Sequence, residues 1–165
     1  MRAAQDALVE GKDPIAAWGE LKGVMEVIGK KFSGVNNDNV GFGSTIFAVK
    51  PGDGSAREQA ASCQRVLGAA ANIAREYATK RYRSNCINWG MAPLLTETPE
   101  VLALGDYVFV PGIRGYILNG VNDFDAYVIK ADGSVRKFAV STGDLTEDER
   151  QIIADGCLIN YYRSH

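Results

Sequence analysis

Apolar residues recur at three- and four-residue spacing over the first part of the chain, at Ala3, Ala4, Ala7 and Leu8, then at Ile15, Ala16, Trp18, Leu21, Val24, Met25 and Ile28. That period predicts two helices. Gly11-Lys-Asp-Pro14 separates them, with Asp13 suited to cap and Pro14 to open the second, which should end near Lys31. Ser33 to Ser44 is polar and rich in glycine, which predicts a surface loop that borders a site. After it the pattern changes. The apolar run Thr45-Ile-Phe-Ala-Val49 reads as a buried strand and 56–67 as a helix ended by Gly68, and the small run 69–74 is short enough for a second buried strand. A strand–helix–strand unit results.

Farther on, Thr79 to Trp89 reads as a helix stopped by Gly90, with Pro93 following, and Tyr107–Val110 and Tyr116–Leu118 read as strands. Residues 126–130 and 135–140 flank Ala131-Asp-Gly-Ser134, a hairpin signal, so the C-terminal part should be antiparallel. Thr146-Glu-Asp-Glu149 has the form of a capping box and opens a last helix that runs to Tyr162. The element order predicts an α/β fold with a mixed parallel and antiparallel sheet.

At 165 residues, 46% hydrophobic and 23% charged, the chain has the profile of one compact globular unit. Lys plus Arg number 18 against 20 Asp plus Glu, so nothing in the overall charge draws it to nucleic acid or to acidic membranes. No apolar stretch reaches the length of a membrane span, and the N-terminus has no signal-peptide pattern, so a cytoplasmic location is expected. Cys63, Cys86 and Cys157 match no zinc or iron–sulfur spacing and read as buried thiols. The single histidine, His165, leaves no His-based triad or multi-His metal site, so base chemistry needs another group.

The candidate chemistry lies in Lys50-Pro-Gly-Asp-Gly-Ser-Ala-Arg-Glu-Gln-Ala60, where a strand hands over to a helix N-terminus. Free N–H groups and the helix dipole favour an anion there, and Gly52 and Gly54 let it approach the backbone. Arg57 suits a bidentate clamp on a carboxylate, and Asp53 stands beside Ser55 within reach of Arg57 or of substrate. The plainer reading is a capping box formed by Ser55 and Glu58. It leaves Arg57, a cation in the first turn, unexplained.

Two other functions use the same sequence. One is a stand-alone module that holds a phosphate or carboxylate on the Gly52–Ser55 loop, although no P-loop lysine pattern is present. The other is RNA binding by the interleaved basic and aromatic run Arg75 to Arg83, against a plainer reading as a solvated face with core tyrosines. Tyr161 and Tyr162 read as packing residues, and Trp18 and Trp89 as anchors of helices to the sheet.

The stretch Gly52-Asp-Gly-Ser-Ala-Arg-Glu-Gln-Ala-Ala61, with Arg65-Val-Leu-Gly68, Tyr77-Ala78, Arg83, Asn85, Asn88, Trp89-Gly90 and Pro93-Leu94, resembles the swivelling domain of the aconitase superfamily. Glu149 to Asn160 resembles that family's terminal helix. The likeness spans about 45–160 and is strong over 52–94. It implies a three-layer swivelling β/β/α domain over 45–165, preceded by a helical segment and loop over 1–44. It further implies a hydro-lyase for a hydroxy-di- or tricarboxylic acid of the citrate/isocitrate type. The family's serine base falls on Ser55 and its carboxylate-binding arginine on Arg57, with Gly54, Ala56 and Asp53 completing the substrate-binding loop. A [4Fe-4S] cluster is expected in a partner, either a catalytic domain of the same polypeptide or a large subunit, and none on this chain, which alone should be inactive. The family core departs here at Ala56, which replaces a serine, and at Gln59, which replaces a histidine and cannot titrate. The family's opening Gly-Asp…Thr-Asp segment has no counterpart upstream of the loop, as expected either of a longer hydratase cut at residue 1, the favoured reading, or of an unusual branch.

Overall fold

The computed structural model describes Arg2–Ser164. His165 lies outside the described residues. The elements, in chain order, are α1 (Arg2–Val9), α2 (Pro14–Ala17), α3 (Leu21–Lys31), β1 (Ser44–Ala48), α4 (Arg57–Val66), β2 (Ala69–Ala74), α5 (Lys80–Asn88), β3 (Ala92–Leu95), β4 (Tyr107–Phe109), α6 (Ile113–Leu118), β5 (Asp123–Ile129), β6 (Val135–Ser141), α7 (Glu147–Asp155) and α8 (Leu158–Ser164). The strands form one six-stranded sheet of order β1-β2-β3-β6-β5-β4. The expected mixed α/β class is what the chain adopts.

The sheet has two unlike halves. β1, β2 and β3 are parallel neighbours, joined through α4 and α5, while β4, β5 and β6 are antiparallel. The halves meet at a single ladder pair, Leu95 with Ser141. Alternation explains which residues face inward: Phe124, Ala126 and Val128 of β5 and Phe138 and Val140 of β6 join Ile73, Ala92, Leu94 and Ile117 in the main core. On the other face of β2, Asn72 points toward α4 and α5, where Ala61, Tyr82, Cys86 and Met91 are buried. A separate cluster of Ile87, Leu145 and Ile152 fixes α7 against α5. The N-terminal segment packs through Met25 and Ile28 against Ile129. Among the described residues no helix is long and apolar enough to cross a membrane.

Four expectations are corrected, and one strand, Ala92–Leu95, appears where none was read. Tyr116–Leu118 is helical, because Gly112 turns the chain at φ 70° and Ile113 and Ile117 then fall one helical turn apart toward the core. Ala92–Leu95 is a strand despite Pro93; the one ladder pair with β6 lies beyond the proline, so its missing N–H removes no bond on that side. The last helix is divided at Gly156, whose φ of 87° ends α7. The N-terminal segment holds three helices rather than two, with Asp13 capping α2 and Pro14 opening it as foreseen. Finally β1 is an edge strand with Ile46 at 37% and Phe47 at 39% exposure, where burial was expected.

Candidate functional site

Two loops are laced together beyond the ends of the parallel strands. The loop after β1 accepts at Val49 O from Arg75 N (3.2 Å) and Glu76 N (3.1 Å), and at Pro51 O from Ala78 N (2.9 Å). At Gly52 O it accepts from Thr79 Oγ1 (3.0 Å) and from Arg57 Nε (3.2 Å). The segments that follow β1 and β2 therefore form one surface at the carboxyl edge of the sheet, where α/β folds place ligands.

Ser55 lies on this surface, exposed, and it does not cap the helix. The cap position of α4 belongs to Ala56, and no side chain caps that end. The capping box expected from Ser55 and Glu58 is thus absent, because the helix starts one residue later than its spacing requires. Glu58 instead accepts from Trp89 Nε1 at 3.0 Å, which ties α4 to the end of α5. The Ser55 hydroxyl has no partner among the described residues, and the leading N–H groups of α4 stay uncovered.

Arg57 is half-buried and held at Nε by Gly52 O, leaving the Nη1 and Nη2 groups without a partner among the described residues. Asp53 is exposed and makes no ion pair with Arg57. The two glycines of the loop have different reasons to exist. Gly52 has φ +95° and packs directly on Tyr82, so the fold requires it. Gly54 has no atom within 4 Å of where a Cβ would stand, so packing does not explain it. Ala56 and Gln59 are both exposed.

The run Arg75–Arg83 is divided by burial. Tyr82 is 2% exposed, and burial holds the phenols of Tyr77 and Tyr82 above their ordinary range. They belong to the core and offer no stacking face. Arg75, Lys80 and Arg81 are exposed, whereas Arg83 donates to Thr142 O (3.0 Å) and Asp144 O (2.8 Å) of the loop after β6. Tyr161 donates to Asp148 Oδ1 at 3.0 Å, while Tyr162, expected to pack, is 72% exposed. Trp18 Nε1 donates to Glu20 Oε2 at 3.2 Å, the oxygen that also accepts from Tyr107 OH of β4 at 3.1 Å, so Trp18 meets the sheet through that carboxylate.

Beneath the loop lies a polar network that sequence patterning does not signal. Asn72 Nδ2 reaches Gln64 Oε1 (2.9 Å), Tyr82 OH (3.0 Å) and Cys86 Sγ (3.4 Å), and Gln64 Nε2 donates to Tyr82 OH at 3.0 Å. Asn72 Oδ1 is buried without a partner. Burial pushes the Cys86 thiol up to about 11, against the hydrogen bonds from Tyr82 and Asn72 that lower it. Cys63, expected to be buried, is exposed, and Cys157 is half-buried. Among the described residues no group of three or more His, Cys, Asp or Glu is placed to hold a metal ion.

A cavity of about 740 Å³ opens elsewhere, between the two sheet edges, lined by Phe42, Ile73, Leu94, Phe109, Ile113 and Ile117 among others. Ser55 and Arg57 are not part of it.

No family model matches the chain, and no curated protein does. Among solved structures it is similar to 3-isopropylmalate dehydratase (LeuD) from Methanocaldococcus jannaschii, with a TM-score of 0.50 and 23% identity over 84% of this chain and 75% of that one. What that likeness shows is a shared fold.

Proposed function

We propose that this chain is the swivelling part of an aconitase-like hydro-lyase acting on a hydroxy-di- or tricarboxylic acid, with Ser55 as base and Arg57 as carboxylate clamp. One observation carries the reading: exposed Ser55 and half-buried Arg57, the first residue of α4, stand together at the carboxyl edge of the parallel strands, and the Ser55 hydroxyl and the Arg57 Nη groups are not used by the fold. A serine freed from capping and an arginine held only at Nε are what a substrate site needs. The fold shared with 3-isopropylmalate dehydratase, whose name implies a hydroxydicarboxylic acid, supports the class.

In this reading Arg57 Nη1 and Nη2 take a substrate carboxylate in a two-pronged contact, and the leading N–H groups of α4 add positive potential. Gly54 and Ala56 present backbone without bulk, and Asp53 lines the rim. The Ser55 oxygen, as alkoxide, takes the proton from the carbon beside the carboxylate, the C–H electron pair forms the double bond, and the hydroxyl leaves with its C–O pair and one proton as water; the partner's cluster would supply the Lewis acid for that leaving oxygen. The helix dipole and Arg57 stabilise the alkoxide once water is excluded by closure of a second body over the loop. In this reading the [4Fe-4S] group of such enzymes would be held by the partner, a catalytic domain of the same polypeptide or a large subunit. This chain by itself is then inactive, and a cytoplasmic setting suits such an enzyme.

The competing reading, an anion-binding module without chemistry, draws on the same uncapped end of α4. The RNA reading loses its stacking residues with the burial of Tyr77 and Tyr82. Titrating the chain with malate and citrate while following backbone amide shifts tests the site. Shifts confined to 53–59 and abolished by Arg57→Ala support the clamp; shifts centred elsewhere, or unchanged in Arg57→Ala, contradict it.

A further inference from the structure

We infer that Thr79 is a positioning residue for Arg57, acting through the carbonyl of Gly52; this rests on the carboxylate-clamp reading above and extends the site to α5. Gly52 O accepts from both side chains, Thr79 Oγ1 at 3.0 Å and Arg57 Nε at 3.2 Å. The Thr79 hydroxyl has one proton, and it is committed. Its oxygen already accepts from Tyr82 N at 3.2 Å, so the proton goes to Gly52 O.

The carbonyl cannot drift away from this arrangement. Gly52 rests on the Tyr82 side chain with no room for a Cβ, and Pro51 O is bound by Ala78 N at 2.9 Å. Tyr82 in turn is fixed at its hydroxyl by Gln64 and Asn72, from α4 and β2. A rigid acceptor at Gly52 thus sets the plane of the Arg57 guanidinium. With Nε held, Nη1 and Nη2 form a fork of fixed direction, and a carboxylate can be bound without first immobilising a long, half-exposed side chain. Thr79 does this from another helix without touching substrate. Its known structural duty as N-cap of α5 does not require the second bond to Gly52.

The test uses Thr79→Val and Thr79→Ser, each alone and combined with Arg57→Lys, which has no Nε–H. In the chain itself, solvent exchange of the Arg57 Nε proton is followed by NMR; in the enzyme assembled with its partner, KM and kcat are measured. Thr79→Val is expected to speed Nε exchange about tenfold and to raise KM about tenfold with kcat within about twofold, the size of one lost hydrogen bond. Thr79→Ser should restore both values to within about twofold of wild type. In the Arg57→Lys background Thr79→Val should leave KM within about twofold, because the bond it supports is already gone. The same KM factor in both backgrounds would mark Thr79 as a helix cap only and overturn the inference, as would unchanged Nε exchange in Thr79→Val. Full turnover in Ser55→Ala would defeat the base assignment, while the exchange measurement still decides the role of Thr79.

Discussion

The Tyr82 side chain fills the space beside Gly52: a Cβ placed on Gly52 would lie 2.4 Å from Tyr82 Cβ and 2.5 Å from its Cγ. The backbone of the loop after β1 therefore rests directly on a side chain of α5, and Gly52 has φ +95° besides. Gly52→Ala should cost about 2–4 kcal/mol, combining the clash with the left-handed backbone. Gly54→Ala, with open space around it, should change stability by no more than about 0.5 kcal/mol. Urea denaturation of the two variants checks the contrast. A loss of turnover in Gly54→Ala at native stability is expected if substrate approaches that backbone.

The three thiols should react in the order of their exposure. Cys63 is exposed, Cys157 half-buried and Cys86 0% exposed, so a thiol reagent at pH 8 should modify Cys63 first and reach Cys86 only on unfolding.

Alkali should weaken the fold. Cys86 is raised from 9.0 to about 11, and the phenol of Tyr77 is raised as well, so the native state keeps protons that the unfolded chain releases. Stability from the neutral buried thiol is fully present below pH 9.0 and is lost as pH rises through about 11. The urea midpoint should fall across that window, and fall less steeply in Cys86→Ala.

Asp106 provides a control far from the loop. Its Oδ2 accepts from both Lys130 Nζ and Ala103 N (2.7 Å), and its side chain is 10% exposed. Asp106→Ala takes away the carboxylate partner of a partly buried ammonium, which keeps its bond to Val101 O at 3.1 Å, and that of the exposed Ala103 amide, and should cost about 1 kcal/mol. Specific activity of the folded fraction should stay at the wild-type level, which thermal denaturation and assay together would show.

Much of this fold is legible in the sequence where local chemistry and tertiary demand agree. Asp13-Pro14, Ala131-Asp-Gly-Ser134 and Thr146-Glu-Asp-Glu149 carry their own turn or cap, and each appears as read. Short apolar runs are different. Tyr116-Ile-Leu118 has no period of its own, so the Gly112 turn and the core contact of Ile117 decide it. At the site, the sequence brings out Ser55 and Arg57 but assigns Ser55 a capping bond that the structure withholds. The supporting residues Thr79, Gln64, Asn72 and Tyr82 converge only through tertiary contacts, and no local pattern announces them.

The most direct test of the account is turnover of a hydroxydicarboxylic acid by the enzyme assembled from this chain and the iron–sulfur partner proposed for it, comparing wild type with Ser55→Ala and Arg57→Lys. The account predicts that Ser55→Ala lowers kcat by at least about a thousandfold with KM little changed, whereas Arg57→Lys acts chiefly on KM. Wild-type kinetics in both variants would contradict it and leave the loop as a turn between a strand and a helix.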